Sequence, residues 1–334
     1  MPRIGRHPLK HKRIKEDTVG NCLVTMTTIV YIPSQEAYWA ESFKNLKIFF
    51  SSLFNNTNQT IDIMVFDNGS CEEVVNYLIM LKEKGHIQFL ILSEKNLRKL
   101  GALSFLLSSA PGDYISYSDS DVYFLPGWLD QSLKVLKNFP EVAKVTALPI
   151  VGGDTTKLSY KNFIQAKNDP SIMVDTGKII PEKYVHAHCL SVGKTLQQFE
   201  LANPDRKDTK MTRKKLSIYL SAADFQFTIR KESLKSALPL IIQDKKDYFD
   251  PIYSPILEKK LDADGWWQVS TDKYLIHHIG NKKPNLQDEL WWLDKDNNRG
   301  LNHFKTVSKT KHKRWFVRKI LQKINTLTYN LLYE

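Results

Sequence analysis

Two periods of apolar and polar positions alternate along the first half of the chain. Residues 22–32 are rich in Val, Ile, Thr and Leu and stop at Pro33, the pattern of a buried strand that ends in a turn. Residues 38–54 then place Phe43, Leu46, Phe50 and Leu53 at the spacing of one helical face. The alternation continues with strands over 61–66, 88–92 and 114–118, helices over 73–84 and 97–109, and a further strand over 142–149. Strands that alternate with helices predict an α/β protein built on a Rossmann-like, mostly parallel sheet flanked by helices.

The pattern weakens over residues 152–215, where Lys, Asp, Asn and Pro mix with few periodic stretches, so loops and short helices are expected there. Order returns over 216–234, and a stretch rich in Trp and Asp runs to Gly280. No internal repeat or low-complexity segment occurs. The chain divides into a basic N-terminal segment (1–20), an α/β half (21–150), a second half (151–285) and a C-terminal segment (286–334).

Composition narrows the function. The 334 residues are 42% hydrophobic, enough for one large core or two smaller ones. Cys22, Cys71 and Cys189 lie far apart, which suggests neither a disulfide framework nor a zinc knuckle. There is no apolar run of ~18 residues, and the basic residues of 1–15 lack an apolar segment behind them. A cytoplasmic, reducing setting is therefore expected, with no membrane-spanning helix. The net charge of +12 calls for an anionic partner: nucleic acid, an anionic membrane or a phosphorylated ligand. The excess sits in residues 3–15, 206–215 and 305–323, whereas 21–149 is closer to balanced and reads as the catalytic half.

Ligands of an open parallel sheet bind at the carboxyl ends of its strands. Asp67 closes the strand 61–66 and leads into Asn68-Gly69-Ser70, while Asp119 and Asp121 close the strand 114–118. Two strands thus deliver carboxylates to one edge. Alone, Asp67-Asn68-Gly69 is an ordinary turn and Asp119-Ser120-Asp121 is a short triplet that also suits a helix cap. Following an apolar, aromatic strand, two acids separated by one residue supply oxygen ligands for a hard cation such as Mg²⁺ or Mn²⁺. Such a cation neutralises a departing diphosphate.

In chain order, Pro33, Phe66-Asp67-Asn68-Gly69-Ser70, Asn96 through Ala102, Ser118-Asp119-Ser120-Asp121-Val122 and Pro126-Gly127-Trp128-Leu129 resemble the inverting family 2 glycosyltransferases of the GT-A fold. The resemblance is close over residues 21–149 and loose beyond. It implies a metal-dependent hexosyltransferase that moves a sugar, from a UDP-sugar donor by expectation, to a glycan, lipid-linked or protein acceptor with inversion. Residues 21–150 become the nucleotide-sugar-binding half and 151–285 the acceptor-binding and catalytic half. Asp67 would bind the nucleoside, and Asp119 and Asp121 the metal and the ribose or diphosphate, with Pro33, Asn96 and Ser120 in the same donor-binding motifs. Many relatives carry Gly where this chain has Arg98. Arg98 and Lys99 either reach a phosphate or are solvated helix charges. His277-His278-Ile279-Gly280-Asn281 resembles the late His-x-Gly element of the fold, which implies His278 on the metal or diphosphate, with His277 as the second choice.

An inverting transfer needs a carboxylate that deprotonates the acceptor hydroxyl. The resemblance implies one at the start of a helix ahead of a Gly-aromatic pair, here residues 257–261 and Gly265-Trp266, which leaves Asp250, Asp247 and Asp224. The usual Glu-Asp doublet is absent. Asp250 is preferred because it precedes a helix and two prolines fix the nearby backbone; Asp224, ahead of the apolar run 225–229, is next. Trp266, Trp267, Trp291 and Trp292 read as core or interface before sugar-stacking platforms.

In the C-terminal segment Trp315, Phe316, Val317, Ile320, Leu321, Ile324, Leu327 and Leu331 recur at helical spacing, and Lys313, Arg314, Arg318, Lys319 and Lys323 cluster toward one end. Such a basic amphipathic helix either lies on the anionic inner face of a membrane or packs on the enzyme. Two other classes fit less well. A sugar-phosphate nucleotidyltransferase would show a Gly- and Arg-rich loop after the first strand, which Pro33-Ser34-Gln35-Glu36 is not. A nucleic-acid-binding protein would interleave basic and aromatic residues on one face, and the acids at the strand ends would repel phosphate unless a metal intervened.

Overall fold

The computed structural model describes residues 23–152, 160–240, 255–283 and 285–290. The first half alternates as expected: β1 (Val24–Val30), α1 (Ser42–Asn56), β2 (Asp62–Asp67), α2 (Glu72–Glu83), β3 (Phe89–Leu92), α3 (Arg98–Ser109) and β4 (Tyr114–Asp119). There follow β5 (Val122–Phe124), α4 (Trp128–Asn138), β6 (Val142–Thr146), α5 (Tyr160–Asn168), β7 (Met173–Gly177), α6 (Glu182–Ser191), α7 (Leu196–Ala202), β8 (Asp208–Arg213), β9 (Leu216–Leu220) and β10 (Gln226–Arg230). After residue 254 come α8 (Ile256–Ala263), β11 (Trp267–Thr271), β12 (Ile276–His278) and α9 (Leu286–Glu289).

A ten-stranded sheet runs in the order β3-β2-β1-β4-β10-β6-β11-β9-β8-β7, and β12 pairs with β5 in a small second sheet. Strands β1, β2, β3, β4, β6, β8 and β11 point one way, while β7, β9 and β10 run against them. This is the mostly parallel α/β sheet flanked by helices that the sequence predicts. The winding reverses between β1 and β4, because the chain first builds outward to β3 and then returns to β1's other side. Register sets the acids around that reversal: Asp67 pairs with Val30 and Asp119 with Ile29, one on each side of the end of β1.

Why these segments adopt these states follows from what they bury. Val24, Met26 and Val30 of β1 are almost wholly removed from solvent, and α1 packs Leu46, Phe49, Phe50 and Leu53 against the same cluster. Each such side chain contributes roughly 1.5–3 kcal/mol. The sequence pattern leaves out α4, whose Leu129, Leu133 and Leu136 bury one face beside the enclosed Trp128. Within 152–215 it anticipates the short helices α5 to α7 but not the strands β7 and β8. Strand β7 is largely exposed and carries no buried-exposed alternation, so the period-2 signal is missing. Trp267 is buried in the core, donating from Nε1 to Gln165 at 2.7 Å, and Trp266, half-buried, packs against the neighbouring cluster.

Among the described residues no helix is long and apolar enough to cross a membrane. The N-terminal segment 1–20, Cys22, Asp247, Asp250, Trp291, Trp292 and the basic amphipathic tail all lie outside the described residues.

Candidate functional site

The turn after β2 is held by the residue that opens it. Asp67, 2% exposed, accepts hydrogen bonds at Oδ2 from the backbone N–H groups of Gly69 and Ser70, both at 3.3 Å. Its Oδ1 is buried without a hydrogen-bond partner. Gly69 has φ +94, a conformation open to glycine at no steric cost. The same turn is stitched to the loop after β1, since Ile32 N–H donates to Ser70 Oγ (3.1 Å) and Cys71 N–H to Ile32 O (2.9 Å). Pro33, exposed, follows directly.

Asn68 carries the link onward to α3. Its Oδ1 accepts from Leu97 N–H (2.7 Å) and its Nδ2 donates to Asn96 Oδ1 (3.0 Å), which also accepts from Arg98 N–H (2.7 Å). Arg98 is thereby fixed at φ +58, in the left-handed region that favours glycine. A side chain there costs on the order of 1–2 kcal/mol, and strain of this kind gathers at functional sites. The next residue, Lys99, turns its ammonium into the crevice.

Around the end of β4 the acids divide into two groups. Asp119 has both carboxylate oxygens engaged: Tyr117 donates its hydroxyl to Oδ1 at 2.5 Å, and Lys99 Nζ donates to Oδ2 at 2.9 Å. Lys99 also reaches Asp224 Oδ2 at 3.4 Å, and Asp119 N–H donates to Phe225 O at 2.7 Å. Asp121 faces the other way, its Oδ2 3.3 Å from His278 Nε2 and its Oδ1 buried without a partner. Ser120, half-exposed, lies between the two acids. The β5–β12 ladder sets His278 opposite Val122, Asp121 O accepts from Ile279 N–H (2.8 Å), and the Phe225 ring lies 5.0 Å from the His278 ring. His277 points away, buried between the Tyr274 hydroxyl (2.8 Å) and Glu289 Oε2 (2.6 Å).

Charge follows this division. Burial pushes the Asp119 carboxyl up, with Asp121's charge adding, against the pull of Lys99. Burial also pushes Asp121 up, but the hydrogen bond and charge of His278 outweigh it and leave Asp121 below the ordinary carboxylate value. His278 is correspondingly raised: burial opposes its charge, and Asp121 more than offsets that. For Lys99 burial is likewise outweighed, by Asp119 and then Asp224, so its ammonium is held more firmly than usual. His277 is lowered by burial, against Glu289.

Among the described residues no group of three His, Cys, Asp or Glu side chains is already gathered to hold an ion. The donor set nevertheless fits one. Mg²⁺ and Mn²⁺ need only one or two protein carboxylates when substrate phosphates and water complete the shell, and Asp121 offers a buried oxygen with no partner beside an imidazole. Of the residues singled out in the sequence, Asp67, Asn96, Arg98, Lys99, Asp119, Ser120, Asp121, Asp224 and His278 come together around the ends of β1, β2 and β4. The Tyr117 hydroxyl and the Phe225 ring were missed. Each belongs to a strand or apolar run whose pattern reads as core, and only the acid two residues on hinted at Tyr117.

The profile of "Glycosyl transferase family 2" matches residues 32–202. Mannosyltransferase PcManGT from Pyrobaculum calidifontis, solved in complex with GDP-Man and Mn²⁺, is similar with 19% identity and a TM-score of 0.31, over 39% of this chain and 36% of that one. TarS 1–349 of S. aureus is similar with 12% identity and a TM-score of 0.40, over 85% of this chain and 66% of that one. The chain therefore spans just over a third of the first protein and just under two thirds of the second. No curated protein matches.

Proposed function

The chain belongs to glycosyl transferase family 2, and from that premise we propose that it transfers a sugar from a nucleoside diphosphate donor, a UDP-sugar by expectation, to an acceptor hydroxyl with inversion. The observation that supports this is the meeting of Asp67, Asp119 and Asp121 at the reversal between β1 and β4, with one carboxylate oxygen on each of Asp67 and Asp121 buried and unpartnered. An orphaned buried acceptor costs about 1–3 kcal/mol, a cost that a ligand arriving with donors or positive charge removes.

In this reading Asp67 accepts from the nucleoside, and Pro33, Asn96 and Ser120 line the donor. Asp121 and His278, with Asp119 beside them, hold Mn²⁺ or Mg²⁺. The ion, when bound, supplies positive charge to the departing diphosphate. Lys99, and Arg98 next to it, add positive charge on the same side. The acceptor, a glycan, a lipid-linked glycan or a protein, gives its hydroxyl proton to Asp250 as its oxygen bonds to C1 and the bond from C1 to the diphosphate breaks. Asp224 and Asp247 are the other carboxylates for this step. The tail beyond residue 305 docks the enzyme at the inner face of an anionic membrane, and nucleic acid is not a partner.

A nucleotide-sugar panel tests the reading: UDP- and GDP-sugars are assayed for hydrolysis and for a rise in melting temperature with Mn²⁺, since ligands that bind only the folded state stabilise it. One donor should stabilise the protein in the presence of Mn²⁺ and be hydrolysed slowly. No stabilisation and no hydrolysis with any donor would remove the assignment.

A further inference from the structure

Three carboxylates converge at the end of β4 and in the loop before β10, and an empty site of that charge would repel a diphosphate. The fold contains an answer that does not come from solution. The Lys99 ammonium lies 2.9 Å from Asp119 Oδ2 and 3.4 Å from Asp224 Oδ2, tying the start of α3 to the loop before β10, 125 positions further along the chain. The backbone that presents it is fixed by the Asn68 and Asn96 side chains. Its own side chain remains 36% exposed, and a lysine stem has four rotatable carbons through which the charge can swing.

We propose that Lys99 is a resident counter-cation of the donor site: without donor it occupies Asp119 and Asp224, and on donor binding it transfers its ammonium to the diphosphate and leaves Asp119 free for the metal. Two observations and one physical argument carry this. Asp119 is saturated, by Tyr117 on one oxygen and Lys99 on the other, whereas Asp121 keeps an unpartnered oxygen. The two acids of one triplet are therefore not equivalent before donor arrives. Second, among the described residues Lys99 is the hydrogen-bond donor that holds Asp224, so the same movement releases it. Third, a cation and an ammonium compete for one carboxylate oxygen at hydrogen-bond range, which makes metal without donor a poor ligand and metal with donor a good one. Donor and metal are thus bound in a coupled fashion by a residue that the triplet itself does not contain.

The inference rests on the donor-site reading, and the two are separated by measuring each ligand alone. Isothermal calorimetry is run on the full chain with Mn²⁺ alone, and with UDP and GDP in EDTA, for the parent, Lys99→Met and Lys99→Arg. Lys99→Met should bind Mn²⁺ alone about 5- to 10-fold tighter, the loss of one nearby like charge in a partly wet site, and bind the nucleoside diphosphate more weakly by a similar factor. Lys99→Arg, which keeps the charge, should leave Mn²⁺ binding at the parent level. A lysine that only packs would lower both affinities together, and that result overturns the proposal, as does Mn²⁺ binding that is absent or unchanged in Lys99→Met. A parent that binds neither nucleotide would instead overturn the donor-site reading, and the Mn²⁺ comparison would still decide the role of Lys99.

Discussion

His278 meets Asp121 across the β5–β12 ladder, Nε2 to Oδ2 at 3.3 Å, while its neighbour His277 is enclosed between Tyr274 and Glu289. A strand turns successive side chains to opposite faces, so one of two adjacent histidines faces the acids and the other supports the fold. His278→Ala should therefore weaken Mn²⁺-supported nucleotide binding by ~10-fold or more with little change in melting temperature. His277→Ala should do the reverse. Calorimetry and thermal unfolding on both variants check this, and the opposite assignment of effects would exchange their roles.

Asp121 and Asp119 should also separate. Asp121→Ala removes the carboxylate that holds an unpartnered oxygen and pairs with His278, and metal-dependent binding of a nucleoside diphosphate should be abolished. Asp119→Ala removes a carboxylate already engaged by Tyr117 and Lys99, so a smaller loss is expected. Unchanged metal-dependent affinity in both variants would end the metal assignment.

Asp67 should act without metal. Asp67→Asn keeps an acceptor for Gly69 and Ser70 and so keeps the turn, but removes the charge offered to the nucleoside. Nucleotide affinity measured in EDTA should fall by ~10-fold, about the worth of one charge-assisted hydrogen bond. Equal affinity of variant and parent would place the nucleoside elsewhere.

How much of this was legible in the chain can be argued from particular residues. Strands β1, β2 and β4 are short runs rich in β-branched and aromatic residues and α1 and α3 keep a helical period, so the acids at the strand ends could be placed. Strand β10 could not, because its antiparallel insertion between β4 and β6 pairs Thr228 with Ser116, far away in sequence, and local pattern carries no such information. The same holds for the pairing of Lys99 with Asp224: the sequence offers one as a phosphate contact or solvated charge and the other as a candidate base, and only the sheet brings the start of α3 to the loop before β10. Arg98 was singled out in the chain, but its left-handed conformation at the entry to α3 needed the backbone.

Inside the sheet, Lys144 of β6 is fully buried, bonded to Glu258 of α8, with its ammonium 4.5 Å from the Phe227 ring. Removing one member strands the other charge, so Lys144→Met should cost ~3–5 kcal/mol, whereas the double change Lys144→Met with Glu258→Leu should recover most of it. Chemical denaturation of both variants measures this. A double variant as unstable as the single one would mean that packing, not the stranded charge, sets the cost.

A second cluster sets acid sensitivity. Arg213 bonds Glu141 Oε1 at 2.7 Å and Asp169 Oδ2 at 2.8 Å. Burial raises Glu141 but the Arg213 hydrogen bond, with others, outweighs it, and Asp169 is lowered first by Ser171 and then by Arg213, so both lie below their ordinary values. Near and below pH ~4 the unfolded chain then binds more protons than the folded one, and stability present above that pH is lost as it falls through the lowered folded values. Arg213→Met should flatten this loss. Melting temperatures of both proteins from pH 7 to 3 decide it, and parallel curves would assign the acid sensitivity to other groups.

The last prediction concerns the base. Asp250 and Asp247 lie outside the described residues, while Asp224 is held beside Asp119 by Lys99. Asp250 is preferred for the acceptor hydroxyl on its place in the sequence, ahead of a helix and near Pro251 and Pro255, and Asp224 is assigned to the donor side with Lys99 and Asp119. Asp250→Asn keeps the shape of the side chain, so donor should bind normally while turnover falls ~10²-fold or more. Asp224→Asn should shift donor affinity and leave turnover near that of the parent, and Asp247→Asn should do less than either. If Asp250 only caps the helix that follows, Asn serves about as well as Asp, and the rate should hold with at most ~1 kcal/mol lost in stability. Melting temperature, donor affinity and turnover on the same three variants separate these accounts. An inactive Asp224→Asn beside an active Asp250→Asn would move the base to the loop before β10, where the departure of Lys99 toward the diphosphate would free it at the moment the donor is in place.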